Sequence, residues 1–302
     1  MLELLVYGII LGSIIALGAI GITIISRVAS RMSNFAHGDF MTFGAYIALV
    51  VNGTLLSGVA FLQQKVGPLT FGLGLLLALV PAAILTALLA IGIDQWVYRP
   101  LRARRAAPIL MSMVSMGIAF AVRGVIYIIW GADFHFYFSG IRRMIFLPMG
   151  IKIRPDEIFI MVVAWGLVAL TYLFLGRTRT GKALRAVADN PDLARVAGIS
   201  TERMIVWAWG ISGGLAAIAG ILYGVETQLR PEMGWGFLLP LFAAVTLGGI
   251  GSMEGALVGA LVMGIAQQVS TAFLLPTYKP AVAFIIMVLV LLVKPEGIFG
   301  RR

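Results

Sequence analysis

Long apolar runs separated by short polar intervals constrain this chain more than any other feature. Several runs exceed the roughly 18–20 residues that a helix needs to cross about 30 Å of hydrocarbon. Only 12% of the 302 residues are charged and the mean hydropathy is +1.00. Because a soluble domain of this length cannot bury so much apolar surface, the sequence predicts an all-α polytopic membrane protein. No repeat and no second domain is apparent, so we predict one transmembrane domain over residues 1–302.

The apolar runs predict about eight to nine membrane helices, some of which are short or broken. The short runs are 35–51, 237–250 and 282–293. In chain order the predicted spans are 4–26, 35–51, 69–93, 108–130, 158–176, 204–225, 237–250, 255–273 and 282–293.

The basic residues lie in short clusters between these runs, which is typical of membrane topology and argues against nucleic-acid binding. Of the 23 Lys and Arg, fifteen would lie on one side of the membrane and seven on the other. The side with fifteen is predicted to be cytoplasmic. We therefore expect an odd number of crossings, with the N-terminus outside and the C-terminus in the cytoplasm.

The longest polar interval, residues 177–203, is called the elbow below. Ala183, Leu184, Val187 and Ala188 recur at helical spacing and predict a short amphipathic helix. The sequence Asn-Pro-Asp at 190–192 should end it, and a second turn should follow and close at a glycine, Gly198. A helical cytoplasmic elbow on an otherwise membrane-embedded chain suggests a docking surface for a motor that another chain provides.

Residues 176–183 match the phosphate-binding pattern G-x4-G-K, but the match is not functional. Ala183 stands where such a loop needs Ser or Thr to hold magnesium, and a membrane helix precedes it instead of a strand. We therefore expect no cofactor in this chain, with ATP and magnesium bound by partner subunits. The chain has two histidines and no cysteine, and no catalytic or metal-binding constellation is apparent, so we expect no enzyme.

Polar residues at the start of the second span have two interpretations. Asn34 or Asp39 could cap a helix start, or Asn34, His37 and Asp39 could belong to a transport pathway or its gate. Arg123, inside the fourth span, should extend toward the outside and pair with Asp133 or Glu226. A contact between Arg123 and a substrate carboxylate is the alternative.

Four glycines within residues 248–255 should break the run 237–273 into a hairpin of two short helices. Its tip is either a tight turn or a gate element deep in the membrane or at the cytoplasmic face. The full set of predicted pathway or gate residues is Asn34, His37, Asp39, Gly249, Gly251, Glu254 and Gln267. Gln267 has the simpler interpretation of a hydrogen bond between helices.

Glycines four residues apart predict places where two helices approach closely. The pairs and triplets are Gly8 and Gly12, Gly220 and Gly224, and Gly251, Gly255 and Gly259. Packing is the favoured interpretation of this spacing.

Five stretches, in order along the chain, resemble one family. They are residues 31–46 (RMSNFAHGDFMTFGAY), 98–102 (YRPLR), 181–198, 247–255 (LGGIGSMEG) and 294–300 (KPEGIFG). This pattern is similar to permease subunits of high-affinity branched-chain and neutral amino-acid ABC importers. The stretches 34–40 and 102–105 are most similar to broad-specificity neutral amino-acid permeases of the cyanobacterial type.

The resemblance implies a multi-pass subunit of the bacterial plasma (inner) membrane, surrounded by lipid. Its expected protein partners are a second permease subunit (homologous or identical), two ATPase subunits, and an extracellular or periplasmic substrate-binding protein. The elbow would be the coupling helix that the ATPase receives. The residues expected to dock there are Gly181, Lys182, Arg185, Asp189, Asp192, Arg195 and Gly198.

Two departures and two alternatives limit the resemblance. Many members of the family have Glu where Asp94 and Gln267 stand, so this chain offers less support for cation binding on the helix that carries Gln267. The same architecture could import urea, short amides or small carboxylates. A self-sufficient ion-coupled transporter or channel is a further alternative, but it would need more buried charges and inverted halves, which the sequence does not show.

Overall fold

The computed structural model describes residues 1–29, 32–138, 144–146, 150–294 and 296–300. Within these ranges the chain forms helices and one short antiparallel hairpin, β1 (Ile145–Phe146) with β2 (Lys152–Ile153). The helices are α1 (Leu2–Val28), α2 (His37–Val50), α3 (Ala60–Gln63), α4 (Leu73–Ile93), α5 (Arg99–Ala103), α6 (Pro108–Trp130), α7 (Pro155–Arg177), α8 (Arg179–Asp189), α9 (Pro191–Val196), α10 (Thr201–Glu226), α11 (Met233–Gly248), α12 (Met253–Val269) and α13 (Lys279–Val293). A π-helical turn, Asp94–Tyr98, joins α4 to α5, and another, Val51–Leu55, extends α2.

Seven helices in the described ranges are long and apolar enough to cross a membrane, and α11 is a shorter apolar helix. The prediction of an all-α polytopic membrane protein is confirmed. The predicted span 108–130 coincides with α6, which begins at a proline and ends before a glycine. Short 3₁₀ turns, Ser270–Ala272 and Pro276–Tyr278, connect α12 to α13.

Helix α1 forms the centre of the bundle and packs between α12 and α10. The approach to α12 depends on glycine: a Cβ on Gly8 would lie 2.6 Å from the Ile265 Cα, and one on Gly264 would lie 2.3 Å from the Gly12 amide nitrogen. A Cβ on Gly259 would lie 2.1 Å from the Ala244 carbonyl oxygen. These contacts confirm close helix packing at Gly8, Gly12 and Gly259, whereas Gly251 lies in the turn before α12 and contacts the Arg27 side chain.

The bundle has two ends. We call the end that carries the elbow the elbow end, and the opposite end the far end. At the far end of α1 the Tyr7 hydroxyl donates to the Lys152 carbonyl at 2.8 Å. At its other end Arg27 forms an ion pair with Asp189 of the elbow. The tail returns to the elbow end, because the Phe299 amide donates to the Gly248 carbonyl at 3.0 Å.

The start of α1 and residues 298–299 thus lie at opposite ends of the bundle. Assignment of the elbow end to the cytoplasm stays a prediction. Of the residues in the charge count, five lie outside the described residues: Arg31, Arg142, Arg143, Arg301 and Arg302.

Helix α2 begins inside the bundle and not at its surface. The preceding residues run along α6, where the Ser33 and Phe35 amides donate to the hydroxyls of Ser112 and Ser115 at 3.1 and 2.9 Å. A Cβ on Gly21 of α1 would lie 2.8 Å from the His37 ring. Since Gly21 is seven residues from the end of α1, α2 starts about 10 Å inside that end.

Helix α11 begins beside the start of α2. A Cβ on Gly38 would lie 2.3 Å from the Gly234 carbonyl oxygen, and the Thr42 hydroxyl accepts the Gly234 amide at 3.0 Å. From this point α2 runs to the far end and α11 to the elbow end. The N-termini of two broken spans therefore meet inside the bundle.

Candidate functional site

The elbow folds as the sequence predicts. The Thr178 hydroxyl accepts the Gly181 amide at 2.9 Å and caps α8, which buries Gly181, Leu184 and Val187. The Asn190 side chain accepts the amides of Asp192 and Leu193 at 3.1 and 2.9 Å and caps α9. Gly198 closes the second turn with a φ of +81°, a backbone conformation that favours glycine.

The residues predicted to dock a partner divide into an exposed and a packed group. Lys182, Arg185, Asp192, Arg195 and Gly198 are exposed. Gly181 is buried instead: a Cβ there would lie 2.2 Å from the Phe174 carbonyl, so its role is to seat α8 on the end of α7. Asp189 is exposed but committed to the ion pair with Arg27.

Two apolar residues on α9 are missing from that prediction. Leu193 is 65% exposed and Val196 is 87% exposed, at the end of an elbow that is otherwise polar. The signal in the sequence was their position: apolar side chains in a six-residue helix outside the apolar runs. The two residues give the elbow an apolar tip.

Arg27 connects the elbow to the hairpin between α11 and α12. Its Nη2 lies 2.9 Å from the Asp189 Oδ1, and a Cβ on Gly251 would lie 3.2 Å from its Cγ. The hairpin tip contains Gly249 and Gly251, with φ values of +100° and +92°. The predicted break in the run 237–273 is confirmed. The Arg27 side chain lies against both the elbow and the hairpin tip.

An ion pair occupies the place where α2 and α11 begin. The Arg123 Nε and Nη2 donate to the Asp39 Oδ1 and Oδ2 at 2.9 and 3.0 Å. The Asp39 side chain is fully buried and that of Arg123 is 11% exposed. The expectation that Arg123 pairs with Asp133 or Glu226 was wrong, because Asp39 is nearer along the inner surface of α6. Asp39 does not cap α2 either.

Aromatic rings surround the guanidinium. The Arg123 Cζ lies 4.5 Å from the Trp235 ring centroid and 5.5 Å from that of Phe120, so the cation is held against two π faces. Trp235 is the third residue of α11, and Phe120 stands one turn before Arg123 on α6. The ion pair thus joins α2, which begins in the middle of the bundle, to α6, which passes through it.

The remaining predicted pathway residues do not gather at this pair. Asn34 accepts the Ala36 amide at 3.1 Å, a local contact just before α2, but it does not cap the helix. His37 is fully buried against α1, with its Nδ1 3.5 Å from the Ser212 hydroxyl. Gln267 is buried within α12, and Glu254 accepts from Tyr172 at 3.3 Å at the elbow end.

One side of the bundle carries polar and aromatic groups from end to end. We call it the α6–α11 face. Near the far end the Tyr127 hydroxyl donates to the exposed Glu232 at 2.9 Å, and near the elbow end the rings of Phe35 and Phe242 are 5.3 Å apart. Because ionisable groups are costly against lipid, this face is suited to protein or water. Its residues are Phe35, Phe120, Arg123, Tyr127, Glu232, Trp235 and Phe242.

A second charged cluster holds the far end of the bundle together. Arg154, which precedes α7, donates to Glu157 and to Glu226 at the end of α10. Burial lowers the pKa of Arg154, but the carboxylates of Glu226 and Glu157 outweigh that effect and raise it. The guanidinium therefore keeps its charge and links α7 to α10.

Comparison with known proteins decides the family. The model of the family described as "Branched-chain amino acid transport system / permease component" matches residues 4–291. The chain belongs to this family. The match covers nearly all of the described bundle, including the elbow, the hairpin and the Asp39–Arg123 pair, and it confirms the resemblance that the five sequence stretches indicated.

Individual relatives match over nearly their whole lengths. The high-affinity branched-chain amino acid transport system permease protein LivH of Escherichia coli (strain K12) is 32% identical, over 97% of this chain and 94% of LivH. The corresponding BraD protein of Pseudomonas aeruginosa is 32% identical, over 99% of this chain and 96% of BraD. Among solved structures, PsaBC from Streptococcus pneumoniae covers 98% of this chain at 15% identity and a TM-score of 0.48.

Proposed function

We propose that the chain is the membrane-spanning subunit of an ATP-driven importer of branched-chain and neutral amino acids. Two ATPase subunits bind the elbows, a second permease, identical or homologous, covers the α6–α11 face, and an external binding protein delivers the cargo at the far end. The observation that carries the proposal is the elbow: a capped, rigid helix pair whose apolar tip has no covering partner within the described residues.

The coupling mechanism follows from how the elbow is attached. Gly181 seats α8 on α7, and Arg27 joins the elbow to the hairpin tip. When ATP closes the ATPase dimer, the elbow moves as a rigid body, and α1 and the hairpin move with it. Since α11 begins at the Asp39–Arg123 pair, movement of the hairpin changes the surroundings of that pair and of the α6–α11 face.

Replacing the apolar tip of the elbow by charge tests the proposal. With Leu193→Asp and Val196→Asp together, we expect co-purification of the ATPase and uptake of L-leucine by proteoliposomes to fall at least about tenfold, because two buried apolar contacts contribute more than about 1.4 kcal/mol. Val59→Asp, a change at an exposed valine at the opposite end of the bundle, is expected to leave co-purification of the ATPase unchanged. Normal ATPase binding by the elbow variant would contradict the docking role.

Arg27 provides a test of coupling that is separate from docking. Arg27→Glu should reduce leucine uptake up to about fivefold while the ATPase stays bound, because a partly exposed ion pair contributes about 0.2–1 kcal/mol. The double variant Arg27→Glu with Asp189→Arg restores the pair in reverse and should recover uptake. The measurement is the ratio of leucine transported to ATP hydrolysed in proteoliposomes. If the double variant is as impaired as the single one, the ion pair does not transmit the motion.

A further inference from the structure

Only the guanidinium of the Asp39–Arg123 pair is accessible at the α6–α11 face. Asp39 is fully buried behind the guanidinium, whereas Arg123 retains 11% exposure. The recorded hydrogen bonds use Nε and Nη2 of Arg123 and both carboxylate oxygens of Asp39. A group arriving along the face therefore reaches the cation first, and reaches the carboxylate only after Arg123 has moved.

An amino acid has the matching chemistry. It carries a carboxylate and an ammonium on neighbouring atoms, and removing both charges from water costs several kcal/mol for each ion unless each finds a partner. At the level where the two broken helices meet, Arg123 on the α6–α11 face and Asp39 buried behind it supply one charge of each sign. Trp235 and Phe120 supply apolar surface beside them.

We propose that the zwitterionic part of the cargo exchanges with this ion pair during transport. The carboxylate of the cargo takes the place of Asp39 on the Arg123 guanidinium, its ammonium binds Asp39, and its apolar side chain lies on the rings of Trp235 and Phe120. This inference rests on the proposed function, and it identifies the zwitterionic part of the cargo as the group that the pathway recognises.

Exchange also keeps the binding weak. The cargo gains two charge-assisted hydrogen-bonded contacts but must first separate two that are already present, so the net gain is small. While Arg123 is displaced, Asp39 stays in the first turn of α2, where the helix dipole favours a carboxylate. When the cargo leaves, the pair closes again. A permease that receives its cargo from a binding protein needs this combination of recognition and release.

A purely mechanical role is the competing explanation, since the same pair also joins α6 to α2. The two roles separate when the pair is replaced by apolar residues of similar volume, because such replacements are often neutral or stabilising for the fold. In the double variant Asp39→Leu with Arg123→Met, we expect the complex to assemble, measured by co-purification of the ATPase. Its uptake of L-leucine should fall at least about tenfold, since charge-assisted contacts to the cargo are lost.

Trp235 gives a direct signal of binding at the site. The signal is the difference in tryptophan emission between the wild-type complex and its Trp235→Phe variant, titrated with L-leucine. We expect leucine to change it. Leucinol, which lacks the carboxylate, and 4-methylpentanoate, which lacks the ammonium, should need at least about tenfold higher concentrations, since each loses a charge-assisted contact. The response should be absent in the Asp39→Leu, Arg123→Met background.

The outcomes distinguish this inference from the proposed function. Normal leucine uptake by the apolar double variant, or an equal Trp235 response to leucinol and leucine, would overturn the exchange while leaving the importer intact. Failure of the wild-type complex to transport any amino acid would refute the importer itself. If the double variant does not assemble, Asp39→Glu with Arg123→Lys retains both charges at altered positions. It should then weaken the leucine response of Trp235, and an unchanged response would count against exchange.

Discussion

Replacing Gly234 by valine is expected to prevent the bundle from assembling stably. A Cβ at this position would lie 1.8 Å from the Gly38 carbonyl oxygen and 2.6 Å from the Thr42 hydroxyl, so α11 would have to move away from α2. Overpacking a tight contact costs about 1–3 kcal/mol, and more where backbone must move. The measurement is the fraction of purified protein that stays monodisperse on size-exclusion chromatography after heating.

Gly236→Val is the matched control, two residues further along the same helix. Gly236 is exposed, and a Cβ there would meet no atom of another described element within 4 Å. We expect this variant to behave as the wild type does in the heating assay. Equal stability of the two variants would show that α2 and α11 do not meet as closely as the structure has them.

The parts of the structure that local chemistry determines were predictable from the sequence. Helix α6 was placed at both ends because a proline starts it and a glycine follows it. The elbow was placed because its caps are encoded in place: Asn190 and Pro191 set the start of α9, and Gly198 sets its end. The hairpin break followed from the glycines at its tip.

Long-range partners were not predictable in the same way. Arg123 and Asp39 are 84 positions apart. The apolar run around Arg123 predicts that its side chain lies within the membrane, but it does not predict which helix packs beside it. Gly38 and Gly234 are single glycines, and nothing local distinguishes them from Gly236. Polar composition identified candidates such as His37 and Asp39, but only packing shows that one faces α1 and the other faces α6.

The same limit applies to the elbow. Its sequence predicted a docking surface through its charges, whereas the exposed fraction of Leu193 and Val196 depends on how α9 is oriented against the bundle. Gly181 shows the opposite case, since a glycine expected at the docking surface instead lets α8 approach α7. Whether an elbow residue can dock a partner therefore depends on its burial. The spacing of apolar residues in a short helix does not determine that burial.

Removing Asp94 alone is expected to have the other large effect, because it leaves a cation without its partner at the base of the elbow. Asp94 is fully buried in the π-helical turn after α4, and Arg102 is 12% exposed and donates to both of its carboxylate oxygens. Glu202, at the start of α10, is 3.5 Å from Arg102 but half exposed, so it replaces Asp94 poorly. Breaking a buried pair in this way costs about 3–5 kcal/mol.

The experiment compares three variants by thermal unfolding of the purified subunit. Asp94→Leu should be strongly destabilised, whereas Asp94→Leu with Arg102→Met removes both charges and should recover most of the stability. Arg99→Met is the control, since Arg99 is exposed and its ion pair with Glu202, at 3.6 Å, is weak. This variant should change the free energy of unfolding by no more than about 0.5 kcal/mol. If the double variant is as unstable as the single one, side-chain packing and not the unpaired charge determines the loss. Because Arg102 joins α5 to Glu202 in the first turn of α10, leucine uptake should follow the same order as stability.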